Sequence, residues 1–161
     1  MKYLVSGATG FIGRELCRQL SASGDTVVAL SKNGGVVNDD VASLALDLAA
    51  VEPQAELLHG VDVFFHLAGI AHREAQQADY EALNYQATLR LARLASKAGV
   101  KCFIFLSSVK AMGAPGSSGV RSESERTLPR DAYGLSKWRA ESALRDEFSD
   151  HSIFLLYQAE S

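Results

Sequence analysis

The stretch from residue 3 to residue 20 constrains the fold more than any other part of the sequence. An apolar strand runs into three glycines spaced three apart, Gly7, Gly10 and Gly13, and then into a helical pattern. The first glycine permits a backbone conformation that a side chain would forbid, the second lets a phosphate approach, and the third allows close helix packing. Free N–H groups at the helix start favour a bound pyrophosphate. Glycine turns without ligands are common, so the prediction of a dinucleotide site depends on the rest of the chain.

Short apolar strands alternate with helical patterns along the whole chain, which is typical of a parallel α/β sheet. We predict strands at about 2–6, 26–30, 43–46, 63–67, 101–106 and 153–157, and helices at about 11–23, 53–58, 75–98 and 131–148. Right-handed crossovers then give a three-layer, Rossmann-type doubly wound sheet with strand order 3-2-1-4-5-6. The 161 residues suit a single domain, 1–161. Ligands of such sheets bind at the carboxyl edge of the strands.

Composition excludes several classes of function. The net charge of -3 gives no reason to expect nucleic acid or an anionic membrane as a partner, and the longest apolar runs are only strand-sized. The N-terminus does not have the pattern of a secretory signal. Cys17 and Cys102 are isolated and indicate free thiols in a reducing compartment, so we expect a cytoplasmic protein. The histidines have no metal-ligand spacing, and we expect no metal site.

A candidate catalytic set lies in the second half of the sequence. Tyr133 and Lys137 are four residues apart at the start of a predicted helix and therefore project from one face. A nearby ammonium favours the ionised form of a phenol. Ser108, at the end of the fifth strand, could hydrogen-bond a substrate oxygen while Tyr133 exchanges a proton with it and hydride moves to or from a nicotinamide ring. A tyrosine–lysine pair at this spacing also arises by chance, and the preceding dinucleotide-type turn is what favours function.

In these motifs the sequence resembles the extended short-chain dehydrogenase/reductases, specifically the nucleotide-sugar epimerase/dehydratase group. The resemblance covers essentially the whole chain, and its motifs occur in the family's order. They are the turn from Gly7 to Gly13, Asp47-Leu48, the run His66-Leu67-Ala68-Gly69, Asn84 with Thr88, Ser107-Ser108 followed by Gly113, and Tyr133-Gly134 with Ser136, Lys137 and Glu141. One position departs from the family's helix motif, because Ala87 replaces a glycine.

The resemblance implies an NAD(P)-dependent oxidoreductase that transfers hydride at a sugar carbon, either a 4-epimerase or a 4-ketoreductase. Ser108, Tyr133 and Lys137 would be its catalytic residues. A UDP-sugar is the expected substrate, and a homodimer through helices 75–98 and 131–148 is expected. The expected cofactor contacts are Gly7, Gly10, Phe11, Ile12, Gly13, Ser31, Lys32, Asp47, Leu48, Leu67, Ala68, Gly69, Asn84, Tyr133 and Lys137.

Two departures from the family pattern qualify these expectations. Where NAD-preferring members carry an acid after the second strand, this chain has Ser31 and Lys32, which favours NADP over NAD; Arg14 is a second candidate phosphate contact. Family members are about twice as long, so we expect the C-terminal substrate domain to be absent from this chain, as a fragment or a natural shortening. The alternative function is a non-catalytic dinucleotide-binding or sensing module.

Overall fold

The computed structural model describes residues 1–71, 75–113, 122 and 127–148, together with the backbone of 153–158. In this part of the chain the strands form one sheet of order β3-β4-β2-β1-β5-β6-β7. All neighbouring strands are parallel except β3 and β4. The strands are β1 (Lys2–Ser6), β2 (Thr26–Ser31), β3 (Gly35–Val36), β4 (Ala42–Ala45), β5 (Val63–His66), β6 (Cys102–Ser108) and β7 (Ile153–Gln158). Without the two-residue β3, this is the predicted six-stranded order, which is confirmed.

The helices agree with the prediction in place but not always in type. They are α1 (Phe11–Ala22), α2 (Gln77–Tyr80), a π-helix (Glu81–Ala87), α3 (Thr88–Lys97) and α4 (Ala132–Glu147), with 3₁₀ turns at Ala55–Leu58 and Val109–Met112. The predicted helix 75–98 thus contains a π-helical segment, and the predicted helix 53–58 is a 3₁₀ turn. Most of the predicted glycine- and serine-rich loop that starts at Gly113 lies outside the described residues.

The central strand β1 explains why the molecule has helices on both faces of its sheet. Successive side chains of a strand point to opposite faces, so an apolar strand needs cover on both sides. Leu4 is fully buried on the face that α3 and α4 cover, where it joins Phe64 and Leu144. Val5 is fully buried in the other cluster, with Cys17 of α1. The chain crosses on one face after β1 and on the other after β5, which opens a crevice between the carboxyl ends of these strands.

Two expectations about partners can be compared with the surface. In the described part of the chain, no helix has the combination of length and hydrophobicity needed to cross a membrane. The described residues of the two helical stretches expected at a dimer interface carry no exposed large hydrophobic side chain. The exposed ones lie elsewhere, for example Phe11 at the start of α1 and Leu128 before α4. The homodimer therefore stays a prediction without support from an apolar patch.

Candidate active site

The glycine turn between β1 and α1 has the close approaches that its spacing predicts. Gly7 has a φ of +73°, and a Cβ atom on it would lie 2.7 Å from the backbone nitrogen of Ala68. A Cβ on Gly13 would lie 2.2 Å from the carbonyl oxygen of Gly7. Gly10 precedes the first residue of α1 and its backbone is exposed. Side chains at Gly7 or Gly13 would therefore push the turn away from its neighbours.

A cavity of about 340 Å³ lies at the carboxyl edge of the sheet, beside this turn. Its lining comes from the ends of β1, β2 and β5, from the segment after β4, and from α2 and the π-helix. The residues that line it are Gly7, Thr9, Ser31, Lys32, Leu46, Asp47, Leu48, Ala49, Ala68, Gly69, Ile70, Asp79, Ala82 and Leu83. The fold thus gathers seven of the predicted cofactor contacts around one cavity. The other predicted contacts, including Gly10, Phe11, Ile12, Gly13 and Leu67, lie outside this lining.

The end of the cavity formed by Ser31, Lys32 and Asp47, the β2–β4 end, is open to solvent. The ammonium of Lys32 lies 3.1 Å from a carboxylate oxygen of Asp47, and the two side chains are 73% and 35% exposed. This hydrogen bond lowers the pKa of Asp47 below its usual value, although partial burial opposes the effect. A cation is therefore present where the sequence predicts a phosphate contact, and it already has an acidic partner.

The two other groups predicted near a phosphate at this end are bonded within the protein. The hydroxyl of Ser31 is buried, 2.7 Å from the hydroxyl of Ser43. The guanidinium of Arg14 donates to the carbonyls of Thr9, Val36 and Val37 at 2.9 to 3.0 Å. Arg14 thereby ties the short edge strand β3 to the glycine turn. These contacts leave Lys32 as the best placed of the three for an added phosphate.

The opposite end of the cavity, the β5–α4 end, is formed by Gly69 over two buried side chains. A Cβ on Gly69 would lie 3.1 Å from both the Asn84 amide oxygen and the Lys137 ammonium. Lys137 is only 4% exposed, and its ammonium donates to the carbonyl of Leu106 at 2.9 Å. Burial lowers the pKa of Lys137 to about 8, and the nearby Glu141 carboxylate acts in the opposite direction. The structure therefore places a poorly hydrated cation directly beneath the cavity.

Tyr133 is half-buried at the start of α4 and lines a second cavity of about 440 Å³. Its ring centre lies 6.0 Å from that of Tyr80 and 5.9 Å from the ammonium of Lys110. Asp131 caps α4 by accepting the N–H of Gly134 at 2.8 Å, which fixes the first turn of the helix. Ala71 lines the same cavity and follows Ile70 of the first cavity, so the two spaces adjoin along one backbone segment.

Ser108 and its neighbour Ser107 connect the end of β6 to this helix. Ser108 is buried, and its hydroxyl accepts the N–H of Lys110 at 3.2 Å, which caps the 3₁₀ turn Val109–Met112. Ser107 donates to the fully buried carboxylate of Glu141. The second bond crosses from the strand to α4 and therefore sets the position of the predicted catalytic serine relative to the predicted catalytic helix.

Comparisons with known proteins identify the family of the chain. Residues 3–156 match the model of the NAD dependent epimerase/dehydratase family. The chain belongs to this family. A UDP-glucose 4-epimerase of Vibrio cholerae is 33% identical over 93% of this chain and 48% of its own length. A UDP-2-acetamido-2,6-beta-L-arabino-hexul-4-ose reductase of Pseudomonas aeruginosa is 30% identical over 90% of this chain and 31% of its own length.

A solved structure has a similar fold. MoeE5 in complex with UDP-glucuronic acid and NAD superposes with a TM-score of 0.80, at 30% identity. The match covers 98% of this chain and 53% of that one. The chain spans about half the length of the epimerase and of MoeE5, and 31% of the length of the reductase. The epimerase/dehydratase fold and family membership predicted from the motifs are confirmed.

Sequence reasoning assigned no role to several polar residues that hold the site together. Lys110 lies beside Tyr133, and Ser136 donates to the carbonyl of Tyr133 at 2.7 Å. Ser6, before the glycine turn, lies 2.7 Å from the imidazole of His66. A serine in a central, buried strand was a usable signal, because such a hydroxyl needs a partner. The identity of that partner depends on the pairing of β1 with β5, which only the fold supplies.

Proposed function

We propose that this family member is an NAD(P)-dependent nucleotide-sugar oxidoreductase, a UDP-sugar 4-epimerase or 4-ketoreductase, with Tyr133 as its acid/base. One observation carries the proposal: the Lys137 ammonium is buried beneath the 340 Å³ cavity, and Tyr133, one helical turn away, lines the cavity that adjoins it. A pure binding module needs the first cavity but has no use for the phenol. The relatives named as UDP-glucose 4-epimerase and as a hexulose reductase support the substrate class.

The residues of the first cavity fit a nicotinamide dinucleotide. The turn from Gly7 to Gly13 offers backbone that a pyrophosphate can approach, and Asp47 with Leu48 lies at the end suited to the adenosine. Gly69 leaves room above Lys137, which suits the nicotinamide ribose. When bound, the nicotinamide ring supplies the hydride acceptor and donor for chemistry at the sugar carbon.

Each catalytic group of the chain then has a defined task. Tyr133 exchanges a proton with the sugar oxygen, because a phenol at the edge of its cavity can reach a substrate there. Lys137 provides the positive charge that favours the phenolate and binds the cofactor ribose. Ser108 hydrogen-bonds the same sugar oxygen and orients it. The buried Ser107–Glu141 bond keeps β6 and α4, and with them Ser108 and Tyr133, at a fixed separation.

We further propose NADP as the preferred dinucleotide, in a cytoplasmic homodimer. The preference rests on Lys32, which lines the cavity with an exposed ammonium. A 2′-phosphate of two negative charges competes well with the single carboxylate of Asp47 for this cation. The 4-epimerase and 4-ketoreductase reactions differ in cofactor turnover, because an epimerase regenerates its cofactor within each cycle and a reductase consumes NADPH.

Turnover by the full-length protein of UDP-glucose and UDP-glucuronic acid with NAD or NADP, and of the corresponding 4-keto sugar nucleotides with NADH or NADPH, tests the proposal. We expect Tyr133→Phe to lower kcat by about 10²- to 10⁴-fold, with a much smaller loss of cofactor affinity. Tyr3→Phe is the matched control, because Tyr3 lies on β1, away from both cavities, and its hydroxyl donates to the sulfur of Met1. An unchanged rate in Tyr133→Phe contradicts the mechanism, and cofactor binding without turnover of any UDP-sugar favours the non-catalytic module.

A further inference from the structure

His66 is a fully buried histidine that the proposed chemistry does not use. It ends β5, and its ring stacks on Phe105 of β6 at a centre-to-centre distance of 5.8 Å. Both ring nitrogens have polar partners: Nδ1 lies 2.7 Å from the Ser6 hydroxyl, and Nε2 lies 2.9 Å from the Thr88 hydroxyl. A buried imidazole with two hydroxyl partners can hold either tautomer, so its surroundings must decide which one it has.

The Thr88 side decides the tautomer. The Thr88 hydroxyl lies 2.9 Å from the carbonyl oxygen of Asn84, which can only accept, so Thr88 donates its single proton there. The same hydroxyl must then accept from Nε2 of His66, because two lone pairs facing each other in a buried site are unfavourable. His66 is therefore protonated on Nε2. Asn84 lies within the π-helix, a helical form that is frequent at functional sites.

The Ser6 side is consistent with this tautomer. The backbone N–H of Ala68 points to the Ser6 oxygen at 3.4 Å, a weak bond that uses one lone pair of this hydroxyl and leaves its proton available. Ser6 can donate that proton to Nδ1 of His66, which is unprotonated in the Nε2–H tautomer. Full burial also lowers the pKa of His66 to about 3, with a contribution from the Lys137 charge, so the ring is neutral. All donors in the chain from Ala68 to Asn84 point one way.

The chain of hydrogen bonds ends at Asn84, whose side chain contacts both the turn after β5 and helix α4. The Asn84 amide accepts the N–H of Ile70 at 2.8 Å and donates to the carbonyl of Ile70 at 2.9 Å. The same amide nitrogen lies 3.2 Å from the hydroxyl of Ser136, which donates to the carbonyl of Tyr133. Asn84 therefore holds the turn that lines the first cavity on one side and the first turn of α4 on the other.

We propose that His66 is a positioning residue of this site: as the neutral Nε2–H tautomer it orients the Thr88 hydroxyl toward the backbone carbonyl of Asn84, and thereby holds the helical turn that carries the Asn84 side-chain amide between the cavity turn and α4. This inference rests on the proposed function, since the groups it positions are Tyr133, Lys137 and Gly69. His66 lines neither of the two cavities, and the proposed effect passes through Thr88 and Asn84.

The tautomer can be measured without any activity. Long-range ¹H–¹⁵N correlation of the histidine side chains in the full-length protein near neutral pH, with His66→Gln for assignment, separates the two neutral tautomers and the imidazolium. We expect a protonated Nε2 and a bare Nδ1. A protonated Nδ1 or an imidazolium overturns the proposal whatever the enzyme does.

Two variants of Thr88 test the consequence for the site. Thr88→Val keeps the shape of the side chain but removes the hydroxyl. At saturating cofactor we expect kcat to fall about ten-fold, because a small misplacement of catalytic groups is costly, while KM for the UDP-sugar changes less than about two-fold. Thr88→Ser restores the hydroxyl and the rate. Equal loss in both variants, or no loss in Thr88→Val, overturns the proposal.

If the protein turns over no UDP-sugar, the proposed function fails but this test does not. The readout is then NADH and NADPH affinity by fluorescence, because the turn held by Asn84 lines the cavity. We expect Thr88→Val, and not Thr88→Ser, to bind about ten-fold more weakly. Should Thr88→Val fail to fold, Thr88→Ser and the tautomer measurement still decide, since a normal Ser variant with the wrong tautomer contradicts the inference.

Discussion

The two ends of the 340 Å³ cavity are built from opposite kinds of contact. At the β5–α4 end, Lys137 and Asn84 are buried and bonded to backbone carbonyls. At the β2–β4 end, Lys32 and Asp47 meet near the surface. An exposed ion pair contributes about 0–1 kcal/mol and is screened by salt, whereas removing a partner from a buried polar network leaves a costly unpaired group.

This difference separates what is fixed in the site from what can adapt. The geometry around Gly69 is set by the fold before any ligand binds, because moving one buried group would break bonds in several elements. The Lys32 ammonium can leave Asp47 for a ligand at little cost. We therefore expect chemistry and cofactor orientation to tolerate little change, and the preference between the two dinucleotides to be easily altered.

Among the variants that compare the two ends, Gly69→Ala at the β5–α4 end is expected to have the largest effect on cofactor affinity. The added Cβ would lie 3.1 Å from both the Asn84 oxygen and the Lys137 ammonium, and both groups are held by hydrogen bonds. We expect NAD(P)H affinity, measured by fluorescence titration, to fall by about 10- to 100-fold. Wild-type affinity in this variant would show that the β5–α4 end is as adaptable as the other.

The control for this variant is Gly24→Ala, at the end of α1. A Cβ on Gly24 meets nothing within 4 Å, but its φ of +79° disfavours a side chain. We expect a loss of about 1 kcal/mol in the free energy of unfolding with normal cofactor affinity. The pair thus separates backbone strain from obstruction of the site.

The sequence predicts the contacts that depend on local spacing. The roles of Gly7 and Gly13 follow from a three-residue interval between a strand and a helix, and the pairing of Tyr133 with Lys137 follows from one helical turn. The six-stranded parallel order follows from alternating patterns and right-handed crossovers. The edge strand β3 was missed because two residues carry no periodicity.

Contacts between distant elements could not be predicted in this way. The Ser6–His66 bond joins residues 60 apart, and the Arg14 bonds to Val36 and Val37 depend on how the β3 segment folds back. The π-helix could not be predicted from the hydrophobic pattern either. Over only seven residues, a helix with i→i+5 hydrogen bonds buries nearly the same side chains as one with i→i+4 bonds. Its Asn84 was recognised only through the family motif.

A second prediction uses pH to test the buried hydrogen bonds that connect His66 to Asn84 at the β5–α4 end. A fully buried imidazole should resist protonation in the folded protein. His66 has a pKa lowered from 6.5 to about 3 by burial. Between these values the unfolded chain binds a proton that the folded protein does not, so stability is lost as pH falls from about 6.5 toward 3. This one group contributes a slope of up to about 1.4 kcal/mol per pH unit.

Urea denaturation at a series of pH values measures this slope. We expect His66→Gln to be less stable near neutral pH but to show a shallower decline on acidification, because glutamine does not titrate. His59→Gln is the matched control, since His59 is exposed, and it should decline like the wild type. If the wild type and His66→Gln lose stability in parallel, the folded protein tolerates a protonated His66. The contrast between a rigid buried end and an adaptable exposed end is then wrong.

The smallest effect is expected at the β2–β4 end, from Lys32→Ala. Removing this exposed ammonium should weaken NADPH binding by about five-fold, equivalent to about 1 kcal/mol, and leave NADH binding nearly unchanged. Asp47→Asn is the complementary variant, because it frees the Lys32 cation from its 3.1 Å partner and should strengthen NADPH binding relative to NADH. Both effects should shrink at high salt, since the pair is exposed.

Tighter binding of NADH than NADPH by the wild type would remove the role given to Lys32. A change in NADPH affinity much larger than five-fold in Lys32→Ala would mean that this end is as rigidly organised as the one around Lys137.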